Sequence, residues 1–144
     1  RHTRYPLVTG VQTCALPIYL RIVGAEPALA DDAAEGHRTG VRAAQRQPVT
    51  IADGLRTALG ELTFPVVRGL VDDVAVVSEE EIVAAMRFAF TEARLVIEPS
   101  AAVGVAAILA GRVGGERARP VVCVLCGGNA DLARLPWLSP SSTA

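Results

Sequence analysis

The chain has no lysine: all fourteen basic side chains among its 144 residues are arginine. Chemistry that needs a side-chain amine as nucleophile is therefore excluded within these residues. Arginine without lysine, beside many alanines and valines, is the pattern of G+C-rich coding. Charge of one sign is also lacking. The formal net charge is -1, and no basic cluster is dense enough to attract a phosphate backbone, so nucleic acid is not an expected partner. Long apolar runs are missing too. The stretch from Ala101 to Ala110 is about half of the roughly 20 residues that a bilayer crossing takes, and no membrane segment is expected. Cysteine is scarce and odd in number, with Cys14, Cys123 and Cys126, so no even disulfide framework exists. With no secretory leader either, a cytoplasmic location is expected.

What is present is a hydrophobic fraction of 51%, ample for the core of one domain. The first eighteen residues, RHTRYPLVTGVQTCALPI, stand apart. They show no helical or strand period and resemble the conceptual translation of a sequencing adapter, so residues 1–18 read as a foreign leader outside the functional argument. Cys14 and His2 then carry no chemistry. Residues 19–138 form the expected domain, and 139–144 a short polar tail.

Along the domain the rhythm is that of an α/β protein. Leu20 to Ala25 suits a buried parallel strand closed by Gly24. A polar, alanine-rich helix is expected from Ala28 to about Arg38, ending near Gly40. Residues 41–50 read as a loop. Ala52 to Leu59 and Leu62 to Leu70 read as two short helical pieces around Gly60, the second with Pro65 in its first turn. Asp73 to Val77 is another short strand. Ser78 and Glu81 make a capping box for a helix whose core face carries Ile82, Ala85, Met86, Ala89 and Phe90. Glu79, Glu80 and Glu81 are explained as carboxylates favoured at a helix start. Glu98-Pro99-Ser100 opens an alanine-rich helix to about Ala110, and Pro120 to Leu125 reads as the clearest buried strand of all.

That last strand ends in Cys126-Gly127-Gly128-Asn129, a tight turn at a strand's carboxyl end, where open α/β sheets bind ligands. Two readings compete there. Cys123 and Cys126 form a C-x-x-C, which signals a redox pair or half a zinc site; residues three apart on a strand, however, point to opposite faces. Cys123 is then a core residue. Cys126, at the strand end, is either an ordinary cysteine or a ligand-facing one. A dinucleotide loop is disfavoured, because a lone Gly-Gly lacks the full glycine series. Glu26 and Asp32, with a carbonyl between them, have the oxygen chemistry to hold a hard cation, against the plainer reading as helix-start acids. His37 is a lone imidazole on a polar helix and is set aside.

Four stretches taken in order, GAEPALADD (24–32), TIADGLRTALGELTFP (50–65), VSEEEIVAAMRF with LVIEPSAAVGVAAIL (77–88 and 95–109) and VLCGGNADLARLPWL (124–138), resemble the fold-type-II pyridoxal-phosphate enzymes. The resemblance is to the C-terminal portion of threonine/serine dehydratases and of the related serine racemases. It implies an incomplete tryptophan-synthase-beta-like α/β fold, a parallel sheet flanked by helices. It implies pyridoxal 5'-phosphate as cofactor, with Cys126 at the place of the hydroxyl or thiol that meets the pyridine nitrogen, Gly127 in the same turn and Glu98 near the ring. Most members have serine where Cys126 stands, and some serine dehydratases have cysteine. Ala52, Asp53 and Gly54 match the loop that faces the substrate. Glu26, the Ala30 carbonyl and Asp32 match the ligands of a divalent cation such as magnesium. The Schiff-base lysine and the glycine-rich phosphate loop of the family belong to an N-terminal part not represented here, so no catalytic residue is assigned in this chain. The implied parent converts L-threonine or L-serine to a 2-oxo acid and ammonia, and the fragment alone is expected to be inactive. The alternatives are a serine or aspartate racemase and a non-catalytic small-molecule-binding module. The implied partners are a small amino-acid substrate and further copies of the parent in a homo-oligomer. The short tail after the LPWL segment resembles the catabolic type, which has no regulatory domain.

Overall fold

The computed structural model describes residues 21–44, 47–114 and 120–138. The expected leader, Cys14, His2 and the polar tail lie outside the described residues. Two parallel strands, β1 (Val23–Pro27) and β2 (Asp73–Val77), pair in register from Val23 opposite Asp73 to Pro27 opposite Val77. β1 begins later than Leu20 and runs on past Ala25. Before it, Ile22 donates its N–H to the Asp72 carboxylate at 2.7 Å and accepts from the Asp72 N–H at 2.8 Å.

Helices cover both faces of this pair, the expected α/β arrangement. Side chains alternate along a strand. Ala75 and Val77 are buried in the core, while Val74 and Val76 face a cleft shared with Ala34 and His37 of α1 (Asp32–Thr39). α1 begins four residues later than its alanine-rich sequence suggests. The chain first makes a turn in which the Ala28 N–H donates to Val77 O (2.7 Å) and the Ala30 N–H to Pro27 O (2.9 Å). The helix ends where expected, with Gly40 at φ 77°, a left-handed conformation open to glycine at little cost. α2 (Thr63–Leu70) carries Pro65 in its first turn and buries no residue.

α3 (Glu79–Glu92) starts at the expected capping box. The Glu81 N–H donates to Ser78 Oγ at 3.3 Å, and the Ser78 N–H donates to Glu81 Oε2 at 2.7 Å. Arg112 adds a 2.7 Å ion pair to the other Glu81 oxygen; the Ser78 N–H, and next this arginine, hold that carboxyl below the usual carboxylate range. Ile82, Ala85, Met86 and Ala89 are buried as their spacing predicts. Phe90 is not: it is 40% exposed and lies tilted against Trp137 with ring centroids 5.9 Å apart. α4 (Pro99–Leu109) has Glu98 as N-cap and Pro99 at its first position, and buries Ala101, Ala102, Val103, Ala106 and Ala107. α3 and α4 pack together over the β pair, so small residues let the layers approach closely.

Two expected elements do not form. Ala52 to Leu59 is not a helix; only the single turn Asp53–Leu55 forms, and the Leu59 N–H, which a helix would have paired within itself, donates instead to the Asp32 carboxylate. Pro120 to Leu125 is not a strand. A strand exists only through a hydrogen-bonded neighbour, and none of the described residues provides one here.

Candidate functional site

The first turn of α4 organises the site. Its N-cap residue Glu98 donates its N–H to the Gly127 carbonyl (3.2 Å) and accepts from the Asn129 N–H (3.0 Å). Gly127 has φ 132°, outside the range that side chains tolerate, and a Cβ there would overlap the Glu98 carboxylate. The backbone of the glycine turn is thus closed onto Glu98, and no other residue type fits at 127 without moving that carboxylate. Cys126 is exposed and borders a cavity of about 340 Å³ together with Ser100, Ala101 and Gly104 of α4.

The loop containing Ala52, Asp53 and Gly54 is tied to the same helix start. The Gly54 N–H donates to Ser100 Oγ at 3.0 Å and to the Asp53 carboxylate at 2.9 Å. Ala52 is fully buried in the core, so what the loop offers a small molecule comes from Asp53, which is exposed, and from backbone groups. Three residues that sequence reasoning missed hold this loop. Glu79 Oε2 accepts from the Ile51 N–H (2.8 Å), while its buried Oε1 has no partner among the described residues. The Arg56 guanidinium donates twice to the Thr50 carbonyl, at 3.0 and 2.5 Å. Thr50 Oγ accepts from the Ala52 N–H (3.1 Å). Glu79 was legible only as a helix-start acid; its second task appears when the loop lies beside α3.

The candidate cation ligands gather at the end of β1. Glu26 accepts from the N–H groups of Ala33 (3.2 Å) and Ala34 (2.9 Å), closing the open start of α1. Burial pushes its carboxyl up to about 7, helped by the charges of Asp32 and Asp31 and opposed by the two amide bonds. Asp32 Oδ2 accepts from the Leu59 N–H at 2.8 Å, and Ala30 is buried. Among the described residues no group of three or more His, Cys, Asp or Glu is placed to hold a metal; the set here is two carboxylates and a carbonyl. A raised pKa means that the neutral form is favoured by folding. Stability is therefore complete below the ordinary value of 4.5 and is lost as pH rises through about 7. Melting temperature followed from pH 4 to 8 should fall across that window, and Glu26→Gln should flatten the fall. An unchanged profile in the variant would assign the titration to another group.

The two thiols require a correction. With no strand at 120–125, the opposite-face argument loses its basis, and Cys123 and Cys126 border the same cavity. Cys123 Sγ lies 3.0 Å from the point where a Cβ on Gly104 would stand. Burial, and next the nearby Cys126, push the Cys123 thiol up, so it is less of a thiolate than a free cysteine.

Comparison with known proteins gives the family. The family described as "Pyridoxal-phosphate dependent enzyme" matches residues 7–127. The chain belongs to that family. Within it, the chain is 42% identical over 143 residues to a serine racemase from Arabidopsis thaliana, covering 95% of this chain and 43% of the racemase. It is 40% identical over 119 residues to a beta-hydroxyaspartate dehydratase from Paracoccus denitrificans, covering 81% of this chain and 37% of the dehydratase. The solved structure of maize serine racemase superposes with a TM-score of 0.73 at 42% identity, covering 81% of this chain and 36% of that one. The chain thus spans about two fifths of the length of these pyridoxal-phosphate enzymes. Their fold is fold type II, as the sequence motifs imply. Among the described residues no helix is long and apolar enough to cross a membrane.

Proposed function

We propose that this chain is the C-terminal part of a pyridoxal-phosphate enzyme acting on serine or a similar small β-hydroxy amino acid, with racemisation as its main reaction. The reading rests on one observation above the others: the Cys126–Gly127 turn closed onto Glu98, in a chain 42% identical to a serine racemase. The residues present fit the cofactor, because the turn exposes the Cys126 thiol, a neutral hydrogen-bonding group, beside a cavity of about 340 Å³. When bound, pyridoxal phosphate supplies the electron sink that makes the substrate's α-hydrogen acidic. Cys126 would meet the ring nitrogen as a neutral hydrogen-bonding partner and Gly127 would allow close approach. Glu98 holds the turn in place. Asp53 and the backbone of residues 52–54 would face the amino acid, positioned through Ser100 and Glu79. Glu26, the Ala30 carbonyl and Asp32 would hold a divalent cation such as magnesium, whose charge offsets the crowded carboxylates at the end of β1; its addition should reduce the fall in stability between pH 4.5 and 7. The lysine of the reaction would come from the part of the protein that this chain does not span.

Elimination is the second reading, favoured by the 40% identity to a dehydratase. Both reactions begin with loss of the α-proton. A racemase returns it on the other face, whereas a dehydratase expels the β-hydroxyl as water and the remaining enamine hydrolyses to a 2-oxo acid and ammonia. The test is a single-chain chimera in which residues 19–138 replace the matching segment of the Arabidopsis racemase. Incubated with L-serine and pyridoxal phosphate, it should form D-serine faster than pyruvate. Pyruvate in large excess would favour the dehydratase, and neither product from a folded chimera that binds the cofactor would overturn both readings.

A further inference from the structure

The first turn of α4 separates two cavities. Ser100 borders the one shared with Cys126, whereas Pro99 borders a second, of about 360 Å³, which has no lining residue in common with the first. Asp53, Arg56, Asn129, Asp131 and Arg134 form the polar wall of this second cavity. Two of them belong to elements of the site already described: Asp53 lies on the loop assigned to face the amino acid, and Asn129 ends the glycine turn, where its N–H donates to Glu98 at 3.0 Å. The charges on the wall are unequally engaged. Asp53 accepts from the Gly54 N–H (2.9 Å) and Asp131 from the Ala133 N–H (3.0 Å), each within its own turn. Arg56 directs Nε and Nη2 to the Thr50 carbonyl, which leaves Nη1 without a bond among the described residues. Arg134 makes no side-chain hydrogen bond and no ion pair among the described residues, and neither aspartate of the wall pairs with either arginine.

We propose that this second cavity receives the side chain of the substrate, and that Arg134 is its specificity-determining residue, binding a carboxylate carried on the β-carbon. The inference rests on the reading of the chain as part of an enzyme of β-hydroxy amino acids, and narrows that class to its dicarboxylic member, β-hydroxyaspartate. A guanidinium presents its N–H donors as a planar fork that matches both oxygens of a carboxylate. Serine ends at its hydroxyl, so it would leave that fork unmet and most of the cavity empty. A carboxylate one bond further along gives the fork its partner, and Nη1 of Arg56 borders the same cavity as a second donor. Asp53 and Asp131 repel a carboxylate from their part of the wall, so the arginines fix where it settles. A site built to bond one substrate group discriminates against analogues that lack it, and here the group discriminated against is the bare hydroxymethyl of serine.

The test uses the same chimera, loaded with pyridoxal phosphate, and its Arg134→Gln and Arg134→Lys variants. Counting racemised and eliminated product together, the parent chimera is expected to turn over β-hydroxyaspartate with a kcat/KM at least tenfold above that for L-serine. Arg134→Gln should lower that ratio at least tenfold, chiefly by raising KM for the dicarboxylate. Arg134→Lys keeps the charge but loses the fork, and should fall between the two. Calorimetric titration with succinate, a dicarboxylate without the amine, reads the same cavity independently of turnover, and its affinity should drop at least tenfold in Arg134→Gln. Arg134 is exposed, so the variants should fold; if Arg134→Gln does not, Arg134→Met, of similar length and uncharged, takes its place. The proposal is overturned if serine is the better substrate, if the ratio is unchanged in the uncharged variant, or if succinate binds parent and variant equally. The reading it rests on fails in a different way, when a folded chimera that holds the cofactor acts on neither amino acid. Succinate affinity that still depends on Arg134 would in that case uphold the dicarboxylate cavity by itself.

Discussion

Ile82→Ala is expected to lower the free energy of unfolding by about 2–5 kcal/mol, the range for deleting a large aliphatic side chain in a packed core. Ile82 is fully buried in the first turn of α3 and is among the largest fully buried side chains of the described residues. Its surroundings make the upper part of that range the better expectation. The cluster it fills consists largely of alanines, namely Ala52, Ala75, Ala85, Ala89, Ala101, Ala102, Ala106 and Ala107. Such short side chains have no rotamers with which to refill a cavity, so the void persists and its lining loses dispersion contacts. Ile82→Val should cost about 0.5–1.5 kcal/mol. Phe90→Ala, on the same helix but 40% exposed, should cost less than Ile82→Ala despite the larger side chain. Urea unfolding of the chain measures all three. If Ile82→Ala changed stability by no more than a surface substitution does, about 0.5 kcal/mol, the packing of α3 against α4 and β2 would be wrong.

In the chimera, Cys126→Ala is expected to reduce cofactor affinity or turnover by roughly one to two orders of magnitude. Leaving one partner of a buried neutral hydrogen bond unsatisfied typically costs ~1–3 kcal/mol. Cys126→Ser should retain substantial activity, because a hydroxyl is a neutral hydrogen-bonding group of similar size. Cys126→Asp should be the most damaging to elimination, since a carboxylate would favour a protonated ring nitrogen and change how the substrate's charge is partitioned. Cys123 separates this role from a redox pair. Both thiols border one cavity, so a redox pair would be abolished by serine at either position. A cofactor partner predicts tolerance of serine at 126 and only a packing loss at 123. Fluorescence titration with pyridoxal phosphate, together with turnover of L-serine, reads the series; equal behaviour of Cys126→Ser and Cys126→Ala would remove the role assigned to the thiol.

The elements read correctly from sequence are those whose signals are local. β2 forms over Asp73–Val77, α3 begins at Ser78 with both hydrogen bonds of its capping box, α4 begins at Pro99, and α1 ends at Gly40. At the helix ends a side chain or a fixed φ acts within one turn of the residue concerned, whereas β2 follows its short β-branched run and is completed by β1. The candidate site was legible in part. Glu98, Gly127 and the 52–54 loop do meet at the start of α4, and Glu26 does lie near Asp32. Ser100 and Glu79, which hold the loop in place, were not legible, because their partners lie 46 and 28 residues away.

The sequence by itself determined the absence of a side-chain amine, the family motifs in their order, and the helices and strand whose caps and periods are internal to them. Tertiary structure alone decided that residues 52–59 give up a helix, since the Leu59 N–H, which a helix would have paired within itself, is claimed by Asp32 from 27 residues away. It decided that Cys123 and Cys126 share a cavity, and that residues 120–125 stay unpaired. A helix satisfies its backbone from within its own sequence, whereas a strand is completed by a neighbour, and none of the described residues pairs with 120–125.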